Sequence, residues 1–420
     1  MKITRKNNPR RLCHSLALST GILCILPVLS VSAQTAHTKT PGLPQTLVKE
    51  ARASIDRGVK YLLEQQKENG SWRNMTSMTG LAVMALHGSN SERYPEQVDK
   101  AVKQGRSFII SHVRDSGAIA AKREKYLNYA TSICLTALAT LDNPEDRDIM
   151  RKAREFLLHM QLDEDHPQYE VSEDDPAYGG WAYGSGEPEK PSPNLSTTQF
   201  ALQALYVTQY LDVETSGDKG QTSRESDLAW DKALDFLKEV QDLPASADKK
   251  WVATKLQESK KYDGGFYYTP NESKVNEKLE SQDQEDVQGG LRSYGSMTYA
   301  GLKSMIYAEV DNDDPRVQAA TEWARKHYTL DENPVMGPEG HYYYLQTFAK
   351  AFSVLDKEKI VTDEGKTRYW RLDLVKKLLE LQKGDGHWVN EKHGRWMESI
   401  PELVTSYALL AMEGALGGQL

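Results

Sequence analysis

The chain has 420 residues, of which 39% are hydrophobic and 27% charged, and its formal net charge is −8. Such a composition describes a globular chain able to bury a large core, and it excludes a disordered or membrane-embedded one. The acidic balance argues against nucleic acid and against anionic membrane surfaces as partners.

The first 33 residues stand apart. Lys2, Arg5, Lys6, Arg10 and Arg11 form a basic start, an apolar run follows from Leu16 to Leu29, and Val31-Ser32-Ala33 supplies small residues before Gln34. This is the pattern of a secretory signal peptide, too short in its apolar part for a spanning helix, so an exported chain, periplasmic or extracellular, is expected. Its removal takes away five basic and no acidic residues, leaving 47 basic against 60 acidic side chains. Cys13 and Cys24 leave with it, so Cys134 is the one mature cysteine. An intramolecular disulfide and a cysteine-rich zinc site are thereby excluded. Residues 34–48 read as a flexible lead-in, and no membrane span is expected in the mature chain.

From residue 49 onward two kinds of helix alternate. The first is charged and amphipathic, with an aromatic residue at Tyr61, Phe108, Phe156, Phe236 and Trp323, and a glutamine five positions later at Gln66, Gln161 and Gln241. A copy centred on Lys377 keeps Gln382 without the aromatic. Apolar residues one turn apart on a charged helix mark one buried face. The second kind is rich in alanine and spans 79–86, 131–138, 198–205, 298–305, 345–352 and 405–412. Thr79, Thr131, Thr198, Thr298 and Thr405 open five of these, and Leu345 opens the other. Small residues on two faces suit close packing on several sides, so these are expected to be inner helices. Glycine-plus-aromatic turns lie between the two kinds: Gly70-Ser-Trp72, Gly180-Trp181, Gly265-Phe266, Gly340-His-Tyr342 and Gly386-His-Trp388.

The pattern predicts six helical hairpins, about 49–88, 96–141, 144–211, 228–309, 314–356 and 369–416, in one all-α domain over 49–420. Closing them into an α/α toroid, an α6/α6 barrel, buries the faces that an open solenoid would leave exposed at its ends. Polar inserts at 184–193, 212–227 and 271–289 are expected to be solvated loops.

The run from Arg57 to Trp72, with its Gly, aromatic-Leu, Gln66, Gly70 and Trp72 in order, resembles the Gln-Trp repeat of squalene and oxidosqualene cyclases, and Gln382, Gly386 and Trp388 repeat the spacing. The resemblance covers about residues 50–420. It implies the toroid of the terpene cyclase and prenyltransferase superfamily, with an isoprenoid or other apolar ligand in an aromatic central pocket. The Gln and Trp residues read as fold staples, the amide bonding backbone groups at the end of the outer helix and the indole covering those bonds.

The chemistry those relatives require is not matched in context. Asp311-Asn312-Asp313-Asp314 has the letters of an alkene-protonating Asp-x-Asp-Asp motif, but Pro315 follows, so Asp314 reads as the N-cap of an outer helix. Cys134 lies in an apolar inner helix and reads as a small hydrophobe, which leaves no zinc site and no other cofactor expected. The remaining candidates cluster where inner helices begin. His341, Glu398 and Glu402 are the titratable ones for acid–base work. Tyr129, Ser196, Tyr294, Tyr299, Tyr342, Tyr343 and Tyr344 are candidates for binding, through aromatic faces and hydroxyl groups near unpaired helix N–H groups. Tyr178 and Tyr183, which flank the third turn and are not repeated elsewhere, are binding candidates on that ground. Three functions follow: an isoprenoid cyclase or transferase, a non-catalytic binding or scaffold toroid with a protein or small-molecule partner, and a polysaccharide lyase or hydrolase.

Overall fold

The computed structural model describes residues 42–184, 192–212, 224–244, 261–280 and 290–418, together with 246–248, 250 and 252. The signal-peptide reading of residues 1–33 and most of the inserts at 184–193 and 212–227 fall outside them. Helices α1 (Gln45–Gln65), α2 (Thr76–Gly88), α3 (Pro95–Ile110), α4 (Leu127–Leu141), α5 (Arg147–His159), α6 (Leu195–Val207) and α7 (Arg224–Glu239) make up the first part of the chain. They are followed by the short α8 (Lys274–Glu280), then α9 (Gly295–Tyr307), α10 (Pro315–Lys326), α11 (His341–Val354), α12 (Trp370–Leu381) and α13 (Pro401–Ala415).

The alanine-rich helices form a closed inner ring. α2 packs on α4, α4 on α6, α6 on α9, α9 on α11, α11 on α13, and α13 returns to α2. They are buried almost all round, as in α2, where Thr76 to Val83 are all buried. The amphipathic helices lie outside; α1 turns Leu47, Ala51, Ile55, Val59 and Leu62 inward, spaced by three or four residues. The fold is the expected all-α, α/α toroid.

One bonding pattern explains the repeated residues. The side-chain amide of Gln66 donates to Gly70 O and to Ala101 O of α3, both at 2.9 Å. Gln161 donates to Gly179 O at 2.9 Å and Ala229 O of α7 at 2.8 Å. Gln241 donates to Gly264 O at 3.0 Å and Arg316 O of α10 at 2.9 Å. Gln382 donates to Gly386 O and to Ser54 O of α1, both at 2.9 Å, and so joins the last repeat to the first. Each glutamine thus holds its own turn and also grips the neighbouring outer helix, which spacing within one repeat does not disclose. The indoles of Trp72, Trp181 and Trp388 donate to Leu62 O, Leu157 O and Leu378 O at 2.9, 2.7 and 2.8 Å. The five repeated threonines, expected to open inner helices, are the fourth or fifth residue of them, and they accept backbone N–H groups of the turns: Trp72, Ile119, Trp181, Phe266 and Trp388 donate to Thr79, Thr131, Thr198, Thr298 and Thr405 at 2.9–3.1 Å.

Glycine is required because the turn presses on the next outer helix. At Gly179, φ is +82° and a Cβ would lie 1.8 Å from Lys232 O. The left-handed residue in that repeat is therefore Gly179 rather than Gly180. Gly340 differs in kind from the other turns: it is the left-handed residue that immediately precedes α11.

Asp314 caps α10 as expected, its Oδ1 accepting from Arg316 N at 2.9 Å with Pro315 at the first helical position. α1 begins at Gln45, before the end of the 34–48 stretch read as lead-in. α8 lies inside the 271–289 insert, and strands β1 (Lys359–Val361) and β2 (Thr367–Tyr369) form a hairpin between α11 and α12. No helix among the described residues is long and apolar enough to cross a membrane.

Because Gln161 is buried and satisfies two backbone carbonyls, Gln161→Leu is expected to cost about 2–4 kcal/mol through the orphaned acceptors. Urea unfolding followed by tryptophan fluorescence measures this, and an unchanged midpoint would remove the staple reading.

Candidate functional site at the N-terminal mouth of the ring

The inner helices run in parallel, so their N-termini meet at one mouth. Residues at the starts of helices far apart in sequence touch there: Ser196 Oγ of α6 lies 3.3 Å from the Tyr343 hydroxyl of α11, and the hydroxyls of Tyr129 (α4) and Tyr407 (α13) are 3.4 Å apart. Unpaired N–H groups at these ends require acceptors, and several acidic or amide side chains supply them. Glu124 caps α2, accepting from Thr76 N at 2.7 Å and Ser77 N at 3.1 Å. Asn194 accepts from Thr197 N at 2.9 Å, and Asn333 accepts from Ser296 N at 2.9 Å.

Glu398 has the same task at α11. Its Oε1 accepts from Tyr343 N at 2.8 Å and its Oε2 from Asn390 Nδ2 at 2.7 Å. Burial raises its carboxyl to about 7, against the lowering effect of these donors. The imidazole of His341 is buried, with Nε2 2.9 Å from Leu330 O, and burial holds its pKa below the ordinary value. Glu402 is buried, with Oε1 3.7 Å from the exposed Arg73 guanidinium. The three titratable candidates thus occupy neighbouring helix starts, each with its own partner.

The phenols converge more closely. Tyr129 packs edge-on against Phe200, with centroids 5.1 Å apart at 85°, and Tyr343 lies 6.2 Å from Phe200 and 6.0 Å from Tyr407. Tyr183 continues this surface outward, 6.5 Å from Tyr129 and 4.4 Å from the half-exposed Tyr126. Its hydroxyl is 3.0 Å from that of Tyr268. The result is an aromatic cup with phenol hydroxyls, Ser196 and the Gln199 amide set among its rings; Gln199 Nε2 lies 3.3 Å from the Tyr343 hydroxyl. Burial pushes the Tyr129 phenol up to about 12, so the cup is neutral in its phenols at ordinary pH. A pocket of about 480 Å³ opens beside it, lined among others by Tyr126, Asn128, Tyr183 and Tyr268.

Of the binding candidates, Tyr129, Tyr183, Ser196 and Tyr343 meet in the cup. The others lie elsewhere. The Tyr178 hydroxyl donates to Glu164 at 3.0 Å, and the ring stands 5.7 Å from Lys232, on the outer α7 side. Tyr294 is buried immediately before α9. Tyr299 and Tyr344 are buried, 5.7 Å apart, and Tyr344 donates to Thr329 O at 2.6 Å. Tyr342 is buried against His341 at 5.5 Å.

Sequence reasoning passed over a second group, on the ring axis. Lys303, Lys350 and Glu413 are buried in inner helices α9, α11 and α13. Lys303 Nζ donates to Gln199 Oε1 and, at 3.0 Å, to Gln203 Oε1, and it lies 5.7 and 5.8 Å from the rings of Phe200 and Tyr307. A charged residue inside an alanine-rich helix was the available signal. Among the described residues, no cluster of three or more His, Cys, Asp or Glu is arranged to hold a metal ion.

Glu398 makes stability depend on pH. Its carboxyl titrates near 7 in the folded chain against an ordinary 4.5, so the folded state binds more protons between these values. Stability then falls as pH rises through that window. Glu398→Gln should remove about 3 kcal/mol of this dependence. Urea midpoints of both proteins at the two ends of the window test it, and a difference that stays constant with pH would refute it.

No family model matches the chain, and no curated protein matches it in sequence. Solved structures do. An inactive variant of an α-1,6-mannanase from Salegentibacter, in complex with α-1,6-mannotriose, aligns with TM-score 0.53 at 10% identity, covering 87% of this chain and 99% of that one. A ligand-free variant of the type II terpene cyclase MstE from Scytonema aligns with TM-score 0.50 at 14% identity, covering 89% and 99%. Another variant of that cyclase, in complex with geranylgeranyl dihydroxybenzoate, gives TM-score 0.50 at 13% identity with the same coverage. At these identities the likeness concerns the fold, and the chain shares the toroid of these enzymes.

Proposed function

We propose that the protein is an exported binding toroid whose N-terminal mouth takes a ligand with flat, hydroxyl-bearing rings, of the saccharide class. The cup carries this reading: Tyr129, Tyr183 and Tyr343 offer ring faces over the buried Phe200 and Tyr407, while their hydroxyls and Ser196 offer hydrogen bonds at the same surface. Sugar rings require both, an apolar face against an aromatic and a polar rim of hydroxyls. Export rests on the basic and then apolar start of the chain.

An isoprenoid ligand would need an apolar volume of several hundred Å³. The axial cavity measures about 50 Å³ and has Lys350 and Glu413 in its wall, which favours a ligand held at the mouth. Binding rather than turnover is supported by the carboxylates of Glu124 and Glu398, both of which are committed to capping helices. A second reading, turnover of the bound saccharide, rests on Glu402, which has the Arg73 guanidinium as its charged partner near the mouth.

The test is calorimetric titration of the mature protein with neutral oligosaccharides, α-1,6-mannotriose among them, and separately with geranylgeranyl dihydroxybenzoate. A saccharide is expected to bind intact, and Tyr183→Ala to weaken it about tenfold. Binding of the isoprenoid with no saccharide bound would overturn the proposal. Cleavage of the saccharide that Glu402→Gln abolishes would establish the second reading.

A further inference from the structure

The ring axis holds ionisable groups that the mouth does not use. Lys350, Glu413, Gln203 and Gln346 are each more than nine-tenths buried, come from three different inner helices, and line one cavity of about 50 Å³. Gln203 directs its Oε1 to Lys303, which fixes the orientation of its carboxamide and leaves the Nε2 donors facing away from that lysine. Those donors, the Gln346 amide and Lys350 Nζ have no hydrogen-bond partner among the described residues. Among the described residues, the partners of Lys303 are the two glutamines Gln199 and Gln203, and neither it nor Lys350 forms an ion pair with a carboxylate. Glu413 does not balance them. It is buried with an unpartnered Oε1, in the last turn of α13, where the negative end of the helix dipole opposes ionisation. The cavity thus holds the buried amine of Lys350 without a counter-charge, and such a group requires an acceptor.

We propose that this axial cavity is a binding site for a small monovalent anion, of the size of chloride or formate, held by Lys350 Nζ and the amide groups of Gln203 and Gln346. The volume accommodates one such ion with little more than a water molecule beside it. Binding keeps Lys350 protonated and so ties the two groups together. Without an anion, burial draws the Lys350 pKa down to about 7, so the ion should matter most above neutral pH. The titratable groups facing it are Lys303 from α9 and Glu413 from α13, the first displaced downward and the second upward by burial.

Two measurements on the mature protein decide the matter. Bromide-soaked crystals are expected to show an anomalous peak beside Lys350. At pH 8, chloride should raise the melting temperature saturably by about 3 °C when present in large excess over its dissociation constant, while sulfate, too large for the cavity, should not. Lys350→Met should abolish the chloride effect. If that variant does not fold, the bromide map and the chloride–sulfate contrast on the wild type still decide. A cavity containing only ordered water, or a melting temperature that follows ionic strength without regard to the anion, would overturn the proposal.

Discussion

The toroid depends on one repeated contact, a glutamine amide that donates to the carbonyl of its own turn and to the carbonyl of the next outer helix. Four glutamines do this, and Gln382 spans the seam between the last repeat and the first by reaching Ser54. Each bond lies between partly or fully buried partners, where an unmade bond is costly. The glycine beside it brings the turn against the neighbouring helix, as at Gly70, where a Cβ would lie 2.4 Å from Gln104 O. The threonine in the first turns of the following inner helix then receives the N–H of the turn residue. Three residue types thereby lock outer helix, turn and inner helix into one unit, and the glutamine sets each unit against the next.

Closure has an electrostatic consequence. Parallel inner helices bring N–H ends to one mouth and carbonyl ends to the other. At the N-terminal mouth the acids become caps, as Glu124 and Glu398 show, and the surface left for a ligand is made of phenols and Ser196. Towards the other end the axis carries Lys303 and Lys350, and the helix dipole of α13 disfavours the ionisation of Glu413 in its last turn. The two ends of one channel thus differ in chemistry because the helices share one direction.

Much of the fold was legible in the residues. Thr79, Thr131, Thr198, Thr298 and Thr405 align because they perform the same hydrogen bond, and the Gln-to-Gly-to-Trp spacing is the covalent length of one turn. The cup was legible in part. Tyr129, Ser196 and Tyr343 sit at helix starts and meet there, but Tyr294 and Tyr344 share that feature and lie elsewhere, because position along a helix does not tell on which side of it a ring lies. Lys303, Lys350 and Gln203 occupy the same place, five residues into their inner segments. That register marks the axial face, and it becomes visible as a face once the ring is closed.

Local sequence thus determined the helices, their turns and their alternation, since periodicity, left-handed glycine and helix capping act within a few residues. It also determined that six such units would need one another to bury their inner faces. Tertiary structure decided which phenols share a surface, that Glu398 is a cap for a helix beginning fifty-odd residues earlier, and that two lysines and a glutamic acid face one axis. These depend on distances across the ring, between residues up to 278 positions apart in the chain as for Tyr129 and Tyr407, and no local rule of sequence encodes them.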